Sequence, residues 1–287
     1  MTRALRLRRA TRGFSLIELM VAMAIGLILT LIIGQIFINS RAVFASTDNL
    51  SRLQENARYG LNLIAREVRA AGFKSDSRPA PDPAFATPFS AMLGTDGGTT
   101  GTPASGVSDM ITLRFQGNGN GAAAAPANAD GTVQDCLGNR VPYGTVVTNT
   151  FLIQADPSNN NEPTLYCNTD AAAPTVCATA TCFPLVPGVE NMQILYGEDF
   201  TDWFAGVLPD GSADRWVTAA AVPTPIWDNV VSVRISLLMR TADRVADRPT
   251  PNTTFYTLSG TNVYAPGNDT RLRRTFTMVI SLRNKTQ

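Results

Sequence analysis

Apolar residues follow three different patterns along the chain. Residues 16–38, LIELMVAMAIGLILTLIIGQIFI, are apolar on every side, with Glu18 as the one charge. As a helix this run is roughly 35 Å long at 1.5 Å per residue, enough to cross a hydrocarbon layer about 30 Å thick. Beyond Ser40 the pattern becomes one-sided. Leu50, Leu53, Ala57, Leu61, Ile64, Val68 and Ala71 recur at spacings of 3, 4, 4, 3, 4 and 3, a single helical stripe, while Arg52, Glu55, Asn56, Arg58, Arg66 and Arg69 take other faces. Gly72 suits the end of that helix, and Pro79, Pro81 and Pro83 forbid its continuation. One helix from about residue 14 to residue 71 would measure roughly 87 Å. The third pattern is short and β-branched or alternating, and it predicts strands at residues 110–115, 146–153, 164–167, 192–196, 230–239 and 273–282. Alternation within 231–237 and 275–280 implies one face on a core and one in solvent. Residues 74–106 and 117–132, rich in Pro, Ala, Gly, Ser, Thr and Asn, read as loops. The expected fold is α+β, a long N-terminal helix packed on an antiparallel sheet.

Composition narrows the function. The 287 residues are 44% hydrophobic and 16% charged, with 24 basic and 23 acidic side chains and no histidine. That is too apolar for a disordered chain and too balanced for a polybasic nucleic-acid binder. The missing histidine removes Ser/His/Asp and Cys/His catalysis and His-ligated metal sites. Arg3, Arg6, Arg8, Arg9 and Arg12 precede the apolar run, which leaves 19 basic against 23 acidic groups after Gly13. No nucleic-acid partner is expected of so acidic a body. The same arginines place the N-terminus in the cytoplasm and residues after about 40 outside, so the bulk of the chain is exported. A cleaved secretory signal is the alternative. Against it stand an apolar run longer than the usual h-region of about 7 to 15 residues and the lack of a small-x-small site at residues 39–44.

The junction Arg12-Gly13-Phe14-Ser15-Leu16-Ile17-Glu18 carries the most information. A carboxylate at the bilayer centre costs on the order of 2.5 to 3.5 kcal/mol, less near the interface, so it usually has a partner. A basic leader, Gly13, Phe14, Glu18 and an apolar helix, in that order, resemble the class III signal of type IV prepilins and type II secretion pseudopilins. The resemblance implies that prepilin peptidase cuts between Gly13 and Phe14 and methylates the new amine of Phe14. It also implies that Glu18 neutralises that amine on a neighbouring subunit, fixing register between subunits. The expected divisions are a cleaved leader at 1–13, a transmembrane helix at 14–40, its amphipathic continuation at 41–72 and a β-rich head at 73–287. Major pilins carry a kinking proline in this span, whereas residues 14–71 contain none.

Two further stretches, LSRLQENARYGLNLIAREVRAAGF and residues 185–197, LVPGVENMQILYG, are similar to PilW-type minor pilins and the related J-type pseudopilins, as is a closing strand with Arg273, Arg274 and Phe276 that ends near Asn284. This resemblance implies a non-enzymatic, cofactor-free minor pilin that primes type IV pilus assembly. Its implied partners are prepilin peptidase, other minor pilins, the major pilin, the inner-membrane assembly platform and a tip adhesin, and its destination is the extracellular pilus. The competing readings are a type II secretion pseudopilin and a membrane-anchored binding or adhesin module.

Cys136, Cys167, Cys177 and Cys182 all lie in the exported part, where an even count suggests two disulfides among three pairings. Chain entropy leans towards Cys177 with Cys182, worth roughly 2 kcal/mol, and Cys136 with Cys167, about 4 kcal/mol. Intervals of 30, 9 and 4 residues do not suit a tetrathiolate zinc site. The Asn-rich segment 156–162 offers oxygens for calcium but not EF-hand spacing. Gly117, Gly119 and Gly121 lack the strand-turn-helix of a dinucleotide site. Trp203, Trp216 and Trp227 read as packing residues. Glu198, Asp199 and Asp202 are acids whose adjacency in sequence sets no catalytic geometry.

Overall fold

The computed structural model describes residues 13–75, 91–97, 108–119, 129–169, 177, 181–200, 210–222, 226–244, 255–256, 258, 263–264 and 269–284. It divides into two compact units between Asp48 and Asn49. The helix α1, Leu16–Ala70, supplies residues to both.

In the first unit α1 is apolar all round, and side chains 13–45 are exposed. Such a segment has no soluble core to bury itself in, and its length suits a bilayer. The Thr30 hydroxyl donates to the Gly26 carbonyl at 2.8 Å, so it is satisfied within the helix. Near the end of the apolar run the Arg41 guanidinium lies 4.3 Å from the Phe37 ring centre, its charge stacked on an aromatic face.

The second unit is the head. Its first sheet joins β1 (Met92–Thr95), β2 (Met110–Gln116), β3 (Val146–Asp156), β4 (Glu162–Asn168) and β5 (Cys182–Pro187) as an antiparallel meander in chain order. A second sheet is made of β6 (Val189–Glu198), β7 (Arg215–Val217), β8 (Val230–Arg240) and β11 (Arg273–Ser281), in the order β11-β8-β6-β7. Strands β9 (Phe255–Tyr256) and β10 (Val263–Tyr264) pair separately. The single residue between β5 and β6 switches sheets. Gly188 has φ +80, its amide donates to Pro163 at 2.8 Å and its carbonyl accepts from Arg240 at 2.8 Å. A Cβ there would sit 2.8 Å from the Arg240 carbonyl oxygen, so both the conformation and the space require glycine.

The one-sided stripe of α1 fills the space between these sheets. Leu53, Ala57, Leu61, Ile64, Val68 and Ala71 are buried, and Leu50 is half-buried where the stripe begins. At Gly60 the helix comes close to both layers, because a Cβ would lie 3.5 to 3.7 Å from Val186 of β5, Leu165 of β4 and Leu237 of β8. The helix ends in the left-handed Gly72, φ +77, whose amide donates to the Arg114 carbonyl at 2.8 Å. Three of the last carbonyls, of Arg69, Ala70 and Ala71, accept from the Asn284 side-chain amide at 3.1 to 3.3 Å. The end of the chain thus caps its first helix.

Expected strands at 110–115, 146–153, 164–167, 192–196 and 230–239 fall within observed ones and that at 273–282 overruns β11 by one residue, but they belong to two sheets. The strands at 92–95, 182–187 and 215–217 were not expected, being short or carrying Pro184 and Pro187. The half-solvated reading of residues 231–237 is corrected. Ser232 and Ser236 are buried too, at 6% and 7% exposure, because β8 is an inner strand whose small serines lie between bulkier neighbours. Arg234, between them, stacks on Trp216 at 4.3 Å. In the edge strand β11 the alternation holds, with Thr277, Val279 and Ser281 exposed and Ile280 buried.

Gly60→Ala is expected to hold or raise the stability of the head, since its Cβ meets ordinary contacts and helix propensity improves by roughly 0.5 to 1 kcal/mol. Gly60→Leu should destabilise by about 1 to 3 kcal/mol through overpacking, read by thermal unfolding of the detergent-solubilised chain.

Candidate functional site

The start of α1 is a reciprocal cap. Gly13, Phe14 and Ser15 precede the helix, and the Glu18 carboxylate accepts the Ser15 amide at 3.0 Å while the Ser15 hydroxyl accepts the Glu18 amide at 3.3 Å. This S-x-x-E capping box fixes the first helical residue, and a negative group suits the positive end of the helix dipole. Phe14 is 90% exposed, and nothing lies within 4 Å of where a Gly13 Cβ would be. The peptide bond between these two residues is therefore outside the helix and open. Glu18 pairs with no cation among the described residues. Ser15 is the residue that sequence reasoning passed over, although its spacing to Glu18 is the signal for such a cap.

In the head, charge is gathered into a closed ring of three acids and three bases. Arg273 binds Glu190 through two nitrogens at 2.6 and 2.8 Å and Asp269 at 2.6 Å. Arg240 bridges Glu190 at 3.0 Å and Glu162 at 2.8 Å, and Arg271 closes the circuit to Glu162 at 3.6 Å and to Asp269 at 3.9 Å. The ring ties β4, β6, β8 and β11. Glu190 is 1% exposed and the Arg273 side chain 4%, so each depends on the other for its charge to be tolerated. Burial would raise the Asp269 carboxyl, but the hydrogen bond and charge of Arg273 outweigh it and hold it below the usual range. Residues 185–197 and the closing strand, quoted above as motifs, meet in this ring.

A second buried cluster joins the two sheets. Asp109 accepts the amides of Gly97 at 2.9 Å and of Ile194, in β6, at 2.7 Å. Asp96 accepts the amides of Ala219 and Ala220 at 2.8 and 2.7 Å, capping a 3₁₀ turn. The Tyr196 ring lies edge-on to Trp227, centres 4.9 Å apart, with its hydroxyl against Gly94 of β1, where no side chain would fit. Burial pushes the Asp109 carboxyl up to about 7, against the pull of its two backbone amides and aided by the charge of Asp96. Glu67, on the buried stripe of α1, is likewise raised by burial despite its hydrogen bond from Asn149 at 2.7 Å and its pairing with Arg66.

The remaining sequence candidates are placed as follows. Cys136 is bonded to Cys167 and Cys177 to Cys182. In the segment 156–162, Asp156 caps Ser158, Asn160 and Asn161 are left-handed, and Glu162 belongs to the ring, so these oxygens do not converge. No cluster of three metal-ligating side chains occurs among the described residues. Gly117 bridges to Tyr143 and Gly119 to Ala129, and Gly121 lies outside the described residues. Glu198 pairs with Arg215 at 2.6 Å and Asp199 accepts the Gly211 amide at 2.7 Å. Asp202 and Trp203 lie outside the described residues.

Two family models match this chain. One, described as Type IV Pilus-assembly protein W, covers residues 150–284, and the other, the Prokaryotic N-terminal methylation motif, covers residues 8–34. Among solved structures, a type IV-like pilin from Thermus thermophilus aligns over 82% of this chain and 100% of its own, at 14% identity and a TM-score of 0.42. No curated protein matches.

Glu190→Gln should lower head stability by about 3 kcal/mol, because Arg273 stays buried with half its counter-charge gone; chemical denaturation of the solubilised chain measures it. Asp109 has a folded pKa above its ordinary 3.8, so its contribution is complete below that value and is lost as pH rises to about 7. The melting temperature should accordingly fall between pH 5 and pH 7.5, and Asp109→Asn should flatten part of that slope, Glu67 supplying the remainder.

Proposed function

We propose that this chain, whose residues 150–284 match the Type IV Pilus-assembly protein W model and whose residues 8–34 match the methylation motif, acts as a minor pilin that helps to prime pilus assembly. The observation that carries the reading is the capped start of α1, which leaves Gly13 and Phe14 outside the helix and exposed before an apolar run. In this reading the arginine-rich leader stays in the cytoplasm and the head lies in the periplasm. Prepilin peptidase hydrolyses the bond between Gly13 and Phe14, and the freed amine of Phe14 is methylated. The new terminus is a cation one residue before Ser15, at a helix start that already holds the Glu18 carboxylate.

Glu18 then supplies the assembly contact. Within lipid, a lone carboxylate and a lone ammonium are each costly, and pairing the Glu18 of one subunit with the Phe14 amine of the next removes both costs together. The one-sided half of α1 holds the head, so the apolar half can pack against helices of other minor pilins and the major pilin above the inner-membrane assembly platform. At the filament tip such a complex would carry an adhesin.

The intact mass of protein extracted from membranes should correspond to loss of residues 1–13 and gain of one methyl group. A chain still beginning at Met1 would overturn the proposal. Glu18→Ala should reduce piliation about tenfold or more, the equivalent of a pair worth about 1.4 kcal/mol, with the head's unfolding transition unchanged. A deletion strain that keeps its pili and loses protein secretion would assign the chain to the secretion machine instead.

A further inference from the structure

At the last turn of α1 a cleft of about 580 Å³ opens between the helix, the end of β2 and residues 131–134. That volume is in the range of sites for small ligands and short peptide segments. Its charge is uneven. Glu67 is buried on the helix side with its oxygens taken by Asn149 and Arg66. Arg69 and Arg283 stand exposed on the rim, and neither has a counter-charge among the described residues. The helix carbonyls that would oppose an anion here are occupied by Asn284. Among the lining residues three guanidiniums meet one carboxylate, and the Asp130 carboxylate, 2.6 Å from the lining Thr132 hydroxyl, offsets part of that positive surplus from one edge. Between them the wall is apolar, formed by Ala70, Phe73 and Phe115.

We propose that this cleft docks an extended acidic peptide segment of a partner protein, two carboxylates on Arg69 and Arg283 and a neighbouring apolar side chain on Phe73. Planar guanidiniums match carboxylates in geometry as well as charge. A free inorganic anion would satisfy the arginines and leave Phe73 in water. A nucleic-acid backbone would meet the acidic surplus of the rest of the chain, 23 acids against 19 bases after Gly13. The exposed Gln134 side chain lines the same cleft and offers a partner for peptide backbone groups, while Asn118 and Thr132 beside it are bonded to each other. The site lies wholly in the head and stands whether or not the N-terminus is processed.

The test is a selection on the full chain in detergent micelles from a random hexapeptide library displayed on phage. Parallel selections use the double variant Arg69→Glu/Arg283→Glu and, as control, Arg58→Glu, an exposed position elsewhere on the same helix. Wild type and the control should enrich Asp or Glu about tenfold at two positions beside an aromatic or aliphatic residue, and the double variant should lose that preference. Binding of a selected peptide to the wild type should also weaken steeply with added salt, a readout that needs no variant. Absence of acidic enrichment, its survival in the double variant, or salt-insensitive binding would overturn the proposal. Complete displacement by inorganic phosphate at constant ionic strength would overturn it too, reducing the cleft to a simple anion site.

Discussion

One unbroken helix has to satisfy two different surroundings, and the rest of the molecule follows from how it does so. Residues 16–38 are apolar in every direction yet exposed, as suits a membrane span, whereas from Leu53 onwards only one stripe is apolar and needs a protein partner. The second requirement dictates the head. Two sheets close around the stripe, and at Gly60 β4, β5 and β8 converge on a residue without a side chain. Hydrogen bonds to Gly26 and Val43 keep the hydroxyls of Thr30 and Thr47 satisfied within the helix itself.

Charge plays a different part in each unit. In the apolar segment a single carboxylate sits at the helix start, held by backbone geometry. In the head, carboxylates and guanidiniums are buried as a closed circuit, in which each ion has at least two neighbours of opposite sign. A closed circuit of this kind selects strand register, because sliding β11 against β8 by one residue would turn Arg273 to the other face and leave Glu190 half-compensated. Its net contribution to stability is smaller than its contribution to specificity.

Much of this was legible before the coordinates. The helical stripe and six strands follow from periodicity, and the S-x-x-E spacing of Ser15 and Glu18 is itself the signature of a helix cap. Motif residues such as Glu190, Arg273 and Asn284 could be seen as a pattern, but not as a ring and a cap, since their partners lie scores of residues away and periodicity reports only local order. Glu67 was hidden for another reason. It interrupts an apolar face beside Ile64 and Val68, and only Asn149 and Arg66 make that position tolerable. The two-sheet arrangement hinges on Gly188, a lone glycine whose demand for a left-handed turn is invisible without the neighbouring Arg240 carbonyl.

The cap on the helix comes from Asn284, more than two hundred residues after the carbonyls it serves. Beside it, β11 supplies the Arg273 that completes the circuit around Glu190. Without β11 the head lacks both this cap and one of the two guanidiniums on Glu190, which keeps only Arg240. The head therefore closes through contacts between residues far apart in sequence, a kind of closure that is intrinsically slow.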